Sequence, residues 1–201
     1  IVTLALQERR HHAPLETAMQ ATRVDDHYVL DGSKCLVLDA HVADAFIVIA
    51  RLGGHHRDHH GLSAFLVESG SEGLHVERRS FVDSRNTGTL LLRDVRVPES
   101  HCLGAPGEAW DGLERALDII NIGLSAALLG LATEAFERTV AYLQERKQFG
   151  RVIGSFQGLQ HRAAVLFAEL ELARSVVLDG LRAVDAGEDL RLCASAAKAK
   201  L

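Results

Sequence analysis

Apolar positions change their period once along this chain. Over the first hundred residues, short runs rich in branched side chains alternate with turn residues, the pattern of β-strands. Strands are predicted over 27–30, 34–38, 45–51, 62–68, 74–78, 89–92 and 95–97, and Ile1 already sits within strand-like sequence. Asp31-Gly32 reads as a hairpin turn. Pro98, Gly104, Pro106 and Gly107 then punctuate the chain.

From Glu108 the spacing becomes three and four. Trp110, Leu113, Leu117, Ile120, Leu124, Leu128, Leu131, Ala135, Phe136, Val140 and Leu143 form one stripe. It predicts a helix of about 37 residues, ~55 Å long at the α-helical rise, a length suited to a helical bundle. A second stripe, from Phe156 through Leu159, Ala163, Leu166, Leu170, Ala173, Val177 and Leu181 to Val184, predicts a helix over 155–186. Ser155 is its expected N-cap and Gly187 its stop, and Asp189 opens a third helix. The short connector makes the two long helices antiparallel neighbours. The expected architecture is α+β: an antiparallel β-barrel or sandwich domain over 1–104, then an incomplete antiparallel four-helix-bundle domain over 105–201. Two long helices and a stub cannot bury both faces of each, so missing chain or a partner is expected to finish the bundle; the ends, inside a strand and a helix without cap or linker, read as those of a piece of a longer protein.

The connector, YLQERKQFGRVIGSFQGLQH over 142–161, holds Arg146, Phe149 and Gln157 beside Gly150 and Gly154. A plain turn between bundle helices needs none of these three side chains. A site for a flat, phosphate-bearing ligand could use them all, since an Arg fork suits phosphate oxygens and an aromatic face suits a base. Arg146 is equally placed to satisfy carbonyls and the dipole at a helix C-terminus, and the spacing leaves both roles open.

Composition narrows the field. The 201 residues carry a net charge of −5 with basic residues dispersed, which disfavours nucleic acid as a partner. Cys35, Cys102 and Cys193 are odd in number and far apart, arguing against a disulfide scaffold or structural zinc and for a reducing, cytoplasmic setting. No uninterrupted apolar run reaches the roughly 20 residues of a membrane span. The tract 53–61 gathers His55, His56, Asp58, His59 and His60. Ligands so close in sequence seldom surround one ion without others from elsewhere, and nothing else in the chain offers a second shell, so no metal is expected. Ser63, Ser84 and Ser125 lie outside any G-x-S-x-G elbow, and no G-x-G-x-x-G joins a strand to a helix.

With β sequence followed by a connector reading R-x-x-F-G…F-Q-x-x-Q, the chain resembles the acyl-CoA dehydrogenase family. Segments 28–34, 43–50, 61–67, 73–74, 94–98 and 103–104 agree with it in order, and 142–160 is the most specific match. The resemblance implies most of a middle β domain and the first half of a C-terminal four-helix bundle. It implies FAD bound between domains, an acyl-CoA substrate oxidised across Cα–Cβ, an electron-transfer flavoprotein as acceptor, and a homo- or hetero-oligomer, dimer or tetramer. On the same basis Arg146 looks like the residue that holds the pyrophosphate of a neighbouring subunit's FAD, and Phe149 and Gln157 complete that site. Asp83 with Arg85 is taken for a turn near the acyl-CoA side. The family's catalytic base is expected beyond Leu201, so no catalytic residue is assigned and the piece alone is expected to be inactive.

The departures matter as much. The family's Lys-x-Trp/Phe-Ile-Thr against the flavin is here Lys34-Cys35-Leu36-Val37-Leu38, so Leu36 and Leu38 are the expected flavin contacts without the aromatic wall or the hydroxyl. The Thr-Glu-Pro segment looks reduced to Gln7-Glu8-Arg9, and Asn121 stands where many members have Arg. These departures accompany a connector, Gln148-Phe149-Gly150 with Gly154 to His161, that looks most like the mixed, heteromeric branches, including the pimeloyl-CoA type. They leave open an alternative, a non-catalytic subunit of a heteromeric dehydrogenase that completes a partner's FAD site.

Overall fold

A computed structural model describes residues 1–83 and 85–201. The chain forms two compact units, 1–112 and 113–201.

The first unit is an eight-stranded sheet. Its strands are β1 (Val2–Ala5), β2 (Gln20–Val24), β3 (His27–Leu38), β4 (Ala45–Arg51), β5 (Leu62–Glu68), β6 (Leu74–Ser80), β7 (Asn86–Pro98) and β8 (Cys102–Leu103). The order is β6-β7-β3-β2-β4-β5-β8, with β1 also pairing β4. Most neighbours are antiparallel, but β1 and β2 both run parallel to β4. The sheet is therefore mixed and open, where sequence predicted an antiparallel barrel or sandwich. Strand alternation cannot reveal direction, and the partner of β4 lies more than forty positions upstream in β1.

Nearly every residue of β4 is buried, as expected of a strand covered on both faces. Tyr28, Leu30, Val37, Phe46, Val48, Phe65, Leu90, Leu92, Val95 and Val97 build the core, and the Tyr28 and Phe65 rings lie 5.0 Å apart. The edge strand β6 carries Glu77, Arg78 and Arg79 in the open, charges that discourage edge-to-edge pairing.

The predicted turn at Asp31-Gly32 is a misreading. The hairpin turns at Asp25-Asp26, where Val24 pairs His27 and Asp25 takes a φ of 50°, a conformation Asp tolerates. Asp31-Gly32 instead lies inside β3 opposite a bulge. Leu30 pairs Val95 but Gly32 pairs Leu92, so β7 carries one extra residue and Asp94 sits at φ 51°. Asp31 accepts the Asp94 N–H at 2.9 Å. That bulge also explains why 89–92 and 95–97 are one strand. A second bulge reverses the asymmetry: Lys34 pairs Leu90 and Val37 pairs Gly88, placing an extra residue in β3 with Leu36 at φ 55°.

The second unit comprises α1 (Trp110–Glu145) from Leu113 onwards, a small hairpin of β9 (Lys147–Gln148) and β10 (Arg151–Val152), α2 (Gln157–Ala186) and α3 (Arg191–Lys200). The long helices are antiparallel, as predicted. Gly180 lies on α2 where a Cβ would come within 3.3 Å of Ile122. Further along, Leu129 clusters with Ala173 and Val177, and Phe136 meets Phe167 at 6.3 Å. Ser155 does not cap α2. It belongs to a 3₁₀ turn over Ile153–Ser155, its hydroxyl donates back to the Val152 carbonyl, and Phe156 occupies the N-cap without a side-chain bond. Gly187 ends α2 in the left-handed conformation, and Asp189 accepts the Arg191 N–H at 3.1 Å at the start of α3.

Large apolar side chains remain exposed on both helices, among them Ile120, Leu131, Leu166 and Leu172. By length and composition α1 would suffice to cross a membrane. Asp118 and Asn121 interrupt the apolar run without lowering its mean hydropathy far, so the run taken by itself falls short of a span.

Candidate functional site

The connector between the long helices is a built hairpin. Arg146 follows α1, its N–H donating to the Tyr142 carbonyl and its carbonyl accepting from Ile153 at 2.8 Å. Gln148 pairs Arg151 across a two-residue turn of Phe149 and Gly150, whose φ values are 54° and 77°. Two consecutive left-handed residues make the turn type that matches strand twist. Glycine adopts it freely, whereas a bulky residue there is strained.

Phe149 is 89% exposed despite that strain, and its ring meets Phe156 edge-on at 6.1 Å. Arg151 covers the other ring, its guanidinium carbon 4.1 Å from the Phe156 centroid. Gln157, exposed, is the first residue of α2, where free backbone N–H groups and the helix dipole favour anions. Among the described residues no carboxylate forms an ion pair with Arg146, Lys147 or Arg151. The hairpin thus brings Arg146, Phe149 and Gln157 onto one short segment with the aromatic and cationic side chains open. Arg151 and Phe156 join them; the sequence pattern places Phe156 in the apolar stripe of the second helix and leaves Arg151 without a role. The signal was there, in a second cation and a second aromatic flanking the turn.

Leu36 and Leu38 belong to the other unit, at the β3 bulge. Leu36 is half-buried and Leu38 is 50% exposed, its carbonyl accepting the Thr3 hydroxyl at 2.8 Å. Behind them lies Lys34, wholly buried and bonded to Glu8 at 2.7 Å. Burial pulls the Lys34 ammonium below its usual pKa, and the Glu8 charge partly restores it. Burial likewise pushes the Cys35 thiol up.

The histidine-rich tract is held as a loop by Arg51. That guanidinium is 1% exposed and donates to four carbonyls, those of Leu15, Thr17, Asp58 and His60, at 2.9 to 3.2 Å. His59 stacks on Trp110 with ring centres 5.0 Å apart. Asp58 accepts the His55 N–H, which holds its carboxyl below the usual range. Glu16 is held low chiefly by its hydrogen bond from Arg57. Among the described residues no three His, Cys, Asp or Glu side chains are placed to share a metal ion.

Ser63 accepts the Gly107 N–H and Ser125 donates to the Asn121 carbonyl, so both hydroxyls serve the fold. Ser84 lies outside the described residues. Asp83 accepts the Arg85 N–H at 3.1 Å, as a turn would. Glu171 pairs with Arg174 on the surface of α2.

An open mixed sheet, then long antiparallel helices joined by an exposed cationic and aromatic hairpin, define a protein of the sheet-plus-bundle class. Comparison with known proteins makes this specific. Residues 7–95 match the middle domain of acyl-CoA dehydrogenases, and 109–201 match their C-terminal domain. The mitochondrial short/branched chain specific acyl-CoA dehydrogenase of Bos taurus is 35% identical over 182 residues, 89% of this chain and 42% of that protein. The solved butyryl-CoA dehydrogenase of Megasphaera elsdenii superposes with a TM-score of 0.91 at 28% identity, over 100% of this chain and 53% of that one. The FAD complex of PigA gives the same TM-score and identity, over 100% and 53%. The chain belongs to the acyl-CoA dehydrogenase family, and it spans about half the length of the relatives it matches. All of α1 lies within the helical-domain match.

Proposed function

We propose that this chain is part of an FAD-dependent acyl-CoA dehydrogenase, which removes hydrogen across the Cα–Cβ bond of an acyl-CoA thioester. The observation that carries the reading is the open hairpin with Arg146, Phe149 and Gln157 on one short segment. FAD, when bound, supplies the hydride acceptor. The residues present fit it. The Arg146 fork, free of any carboxylate among the described residues, has two parallel N–H groups for phosphate oxygens. The exposed Phe149 face suits an adenine ring. The Gln157 amide stands at the anion-favouring end of α2. Leu36 and Leu38 offer an apolar wall for the isoalloxazine.

In this reading the hairpin grips a dinucleotide carried by a second subunit, so the working form is an oligomer. An electron-transfer flavoprotein takes the electrons, and the setting is the cytoplasm. The catalytic carboxylate is not assigned to any residue of this chain.

One feature favours a second reading. Neither Leu36 nor Leu38 can stack on the flavin as an aromatic would or hydrogen-bond its redox edge. A non-catalytic subunit that only completes a partner's FAD site would need neither. The complete gene product expressed alone distinguishes the two. One FAD per chain, bleached by an acyl-CoA, supports the dehydrogenase. A colourless protein that gains flavin only with a second gene product supports the subunit. A protein colourless under both conditions overturns both.

A further inference from the structure

The carboxylate of Glu8 is shared by three donors from two separate stretches of chain. One oxygen accepts the Ala18 N–H at 2.8 Å. The other accepts the Met19 N–H at 3.0 Å and the Lys34 ammonium at 2.7 Å. Lys34 spends a further bond on the Leu6 carbonyl at 3.2 Å. Beside it the Cys35 N–H donates to the Gln7 carbonyl at 2.6 Å, and the Thr3 hydroxyl donates to the Leu38 carbonyl. Residues 3–8 therefore run along β3 from Lys34 to Leu38, although β1 takes its ladder partner from β4.

Both irregularities in the β3–β7 pairing sit against this hub. Gly32, at the first, packs on Met19, where a Cβ would meet the methionine side chain at 3.1 Å, and the Met19 N–H is held by Glu8. The second is the extra residue between Lys34 and Val37 that puts Leu36 at φ 55°. A left-handed leucine is a costly conformation that persists only where its surroundings over-determine it. The buried polar structure beside it is the Lys34–Glu8 pair. A fully buried ammonium is tolerated only when paired and hydrogen-bonded, so the pair has one arrangement and the backbone attached to it has little freedom.

We infer that Glu8 and Lys34 are positioning residues: their buried pair fixes the β3 bulge and so sets where Leu36 and Leu38 stand. Applied to the flavin wall, the inference rests on the proposed function. The bulge itself does not, and the test treats them separately.

The variants are Lys34→Met, and Lys34→Met combined with Glu8→Gln, which leaves no uncompensated charge and guards against simple misfolding. They are made in the complete gene product, and amide exchange is first followed without flavin. The expected result is exchange about tenfold faster or more across 35–38, with peptides of β5 and α2 unchanged. Unchanged exchange at 35–38 in a folded variant overturns the inference. So does loss of protection throughout the protein, because the pair would then be general core support. With FAD added, the expected flavin absorption band is displaced in the variants relative to the unaltered protein. Flavin bound with an identical band in both, despite faster exchange, removes the link to the wall and keeps the role at the bulge. If the unaltered protein takes up no flavin, the proposed function fails, while the exchange result still decides the bulge.

Discussion

Phe149 stands with its ring edge-on to Phe156 at 6.1 Å, on a left-handed backbone that a phenylalanine rarely adopts. A left-handed residue bearing a Cβ costs on the order of 1–2 kcal/mol, and 89% exposure means little burial is returned. On the proposed reading, the exposed and strained Phe149 is the side chain that meets the adenine of FAD. Phe149→Gly should therefore raise the stability of the protein by roughly 1 kcal/mol or less while weakening FAD binding. Urea unfolding and flavin titration measure the two effects, and a variant that loses stability contradicts the account.

Arg146 carries a sharper expectation. A charge-assisted bond contributes about 1.5–3 kcal/mol, so losing even one on Arg146→Ala should loosen FAD by at least roughly 10- to 100-fold. Arg146→Lys should recover little of this, because an ammonium cannot present a planar fork. Since the side chain is exposed, thermal stability should barely move. Flavin content after gel filtration of the complete gene product gives the answer, and full retention in Arg146→Ala would remove the residue from the site.

Arg51 is the opposite kind of arginine, buried and committed to backbone. Arg51→Met keeps most of the side-chain length but strands the carbonyls of Leu15, Thr17, Asp58 and His60. Buried acceptors left without donors cost about 1–3 kcal/mol apiece. A loss of about 3 kcal/mol or more is expected, read as a lower urea midpoint. A midpoint within error of the parent would show that the loops 13–17 and 53–61 do not depend on it.

The His55 N–H beside Asp58 gives the fold a dependence on acid. The folded Asp58 carboxyl lies below its ordinary pKa of 3.8, so the unfolded chain binds more protons as pH falls toward that region. The contribution is fully present well above that ordinary value of 3.8, by about pH 5, and is lost as pH falls through the folded pKa. Asp58→Asn should therefore differ from the parent by a constant amount at neutral pH, with the gap closing below about pH 4. A gap independent of pH down to 3 would refute the assignment.

The sequence showed its helices well and its sheet less well, for reasons visible in particular residues. The stripes from Trp110 and Phe156 are long enough for a period of 3.6 to be unmistakable. By contrast, Gln20–Val24 has too few apolar residues to signal a strand, and its place in the sheet comes from pairing with β3. Asp31-Gly32 satisfied a local turn rule, yet tertiary packing of Gly32 on Met19 kept the strand running. Arg146, Phe149 and Gln157 stand out in the sequence because a plain connector has no need of them, and all three side chains are exposed. Glu8 and Lys34 were not, since the bond joining them spans 26 positions and neither residue type announces burial.

Two glycines of the connector separate close packing from backbone freedom. At Gly154 a Cβ would fall 2.7 Å from the Leu143 carbonyl oxygen, a backbone atom that cannot swing aside. Gly158, one residue into α2, has nothing within 4 Å of the same position. Gly154→Ala must push the hairpin away from the end of α1, and overpacking of this kind costs about 1–3 kcal/mol. Gly158→Ala meets only the helix preference for alanine and should stabilise by a few tenths to about 1 kcal/mol. The displaced hairpin carries Arg146 and Phe149 with it, so Gly154→Ala should also lower FAD retention, while Gly158→Ala leaves it unchanged. Thermal melts and flavin titration of the two variants side by side check both signs. Equal behaviour of the pair would mean that the contact between Gly154 and Leu143 does not set the hairpin's position.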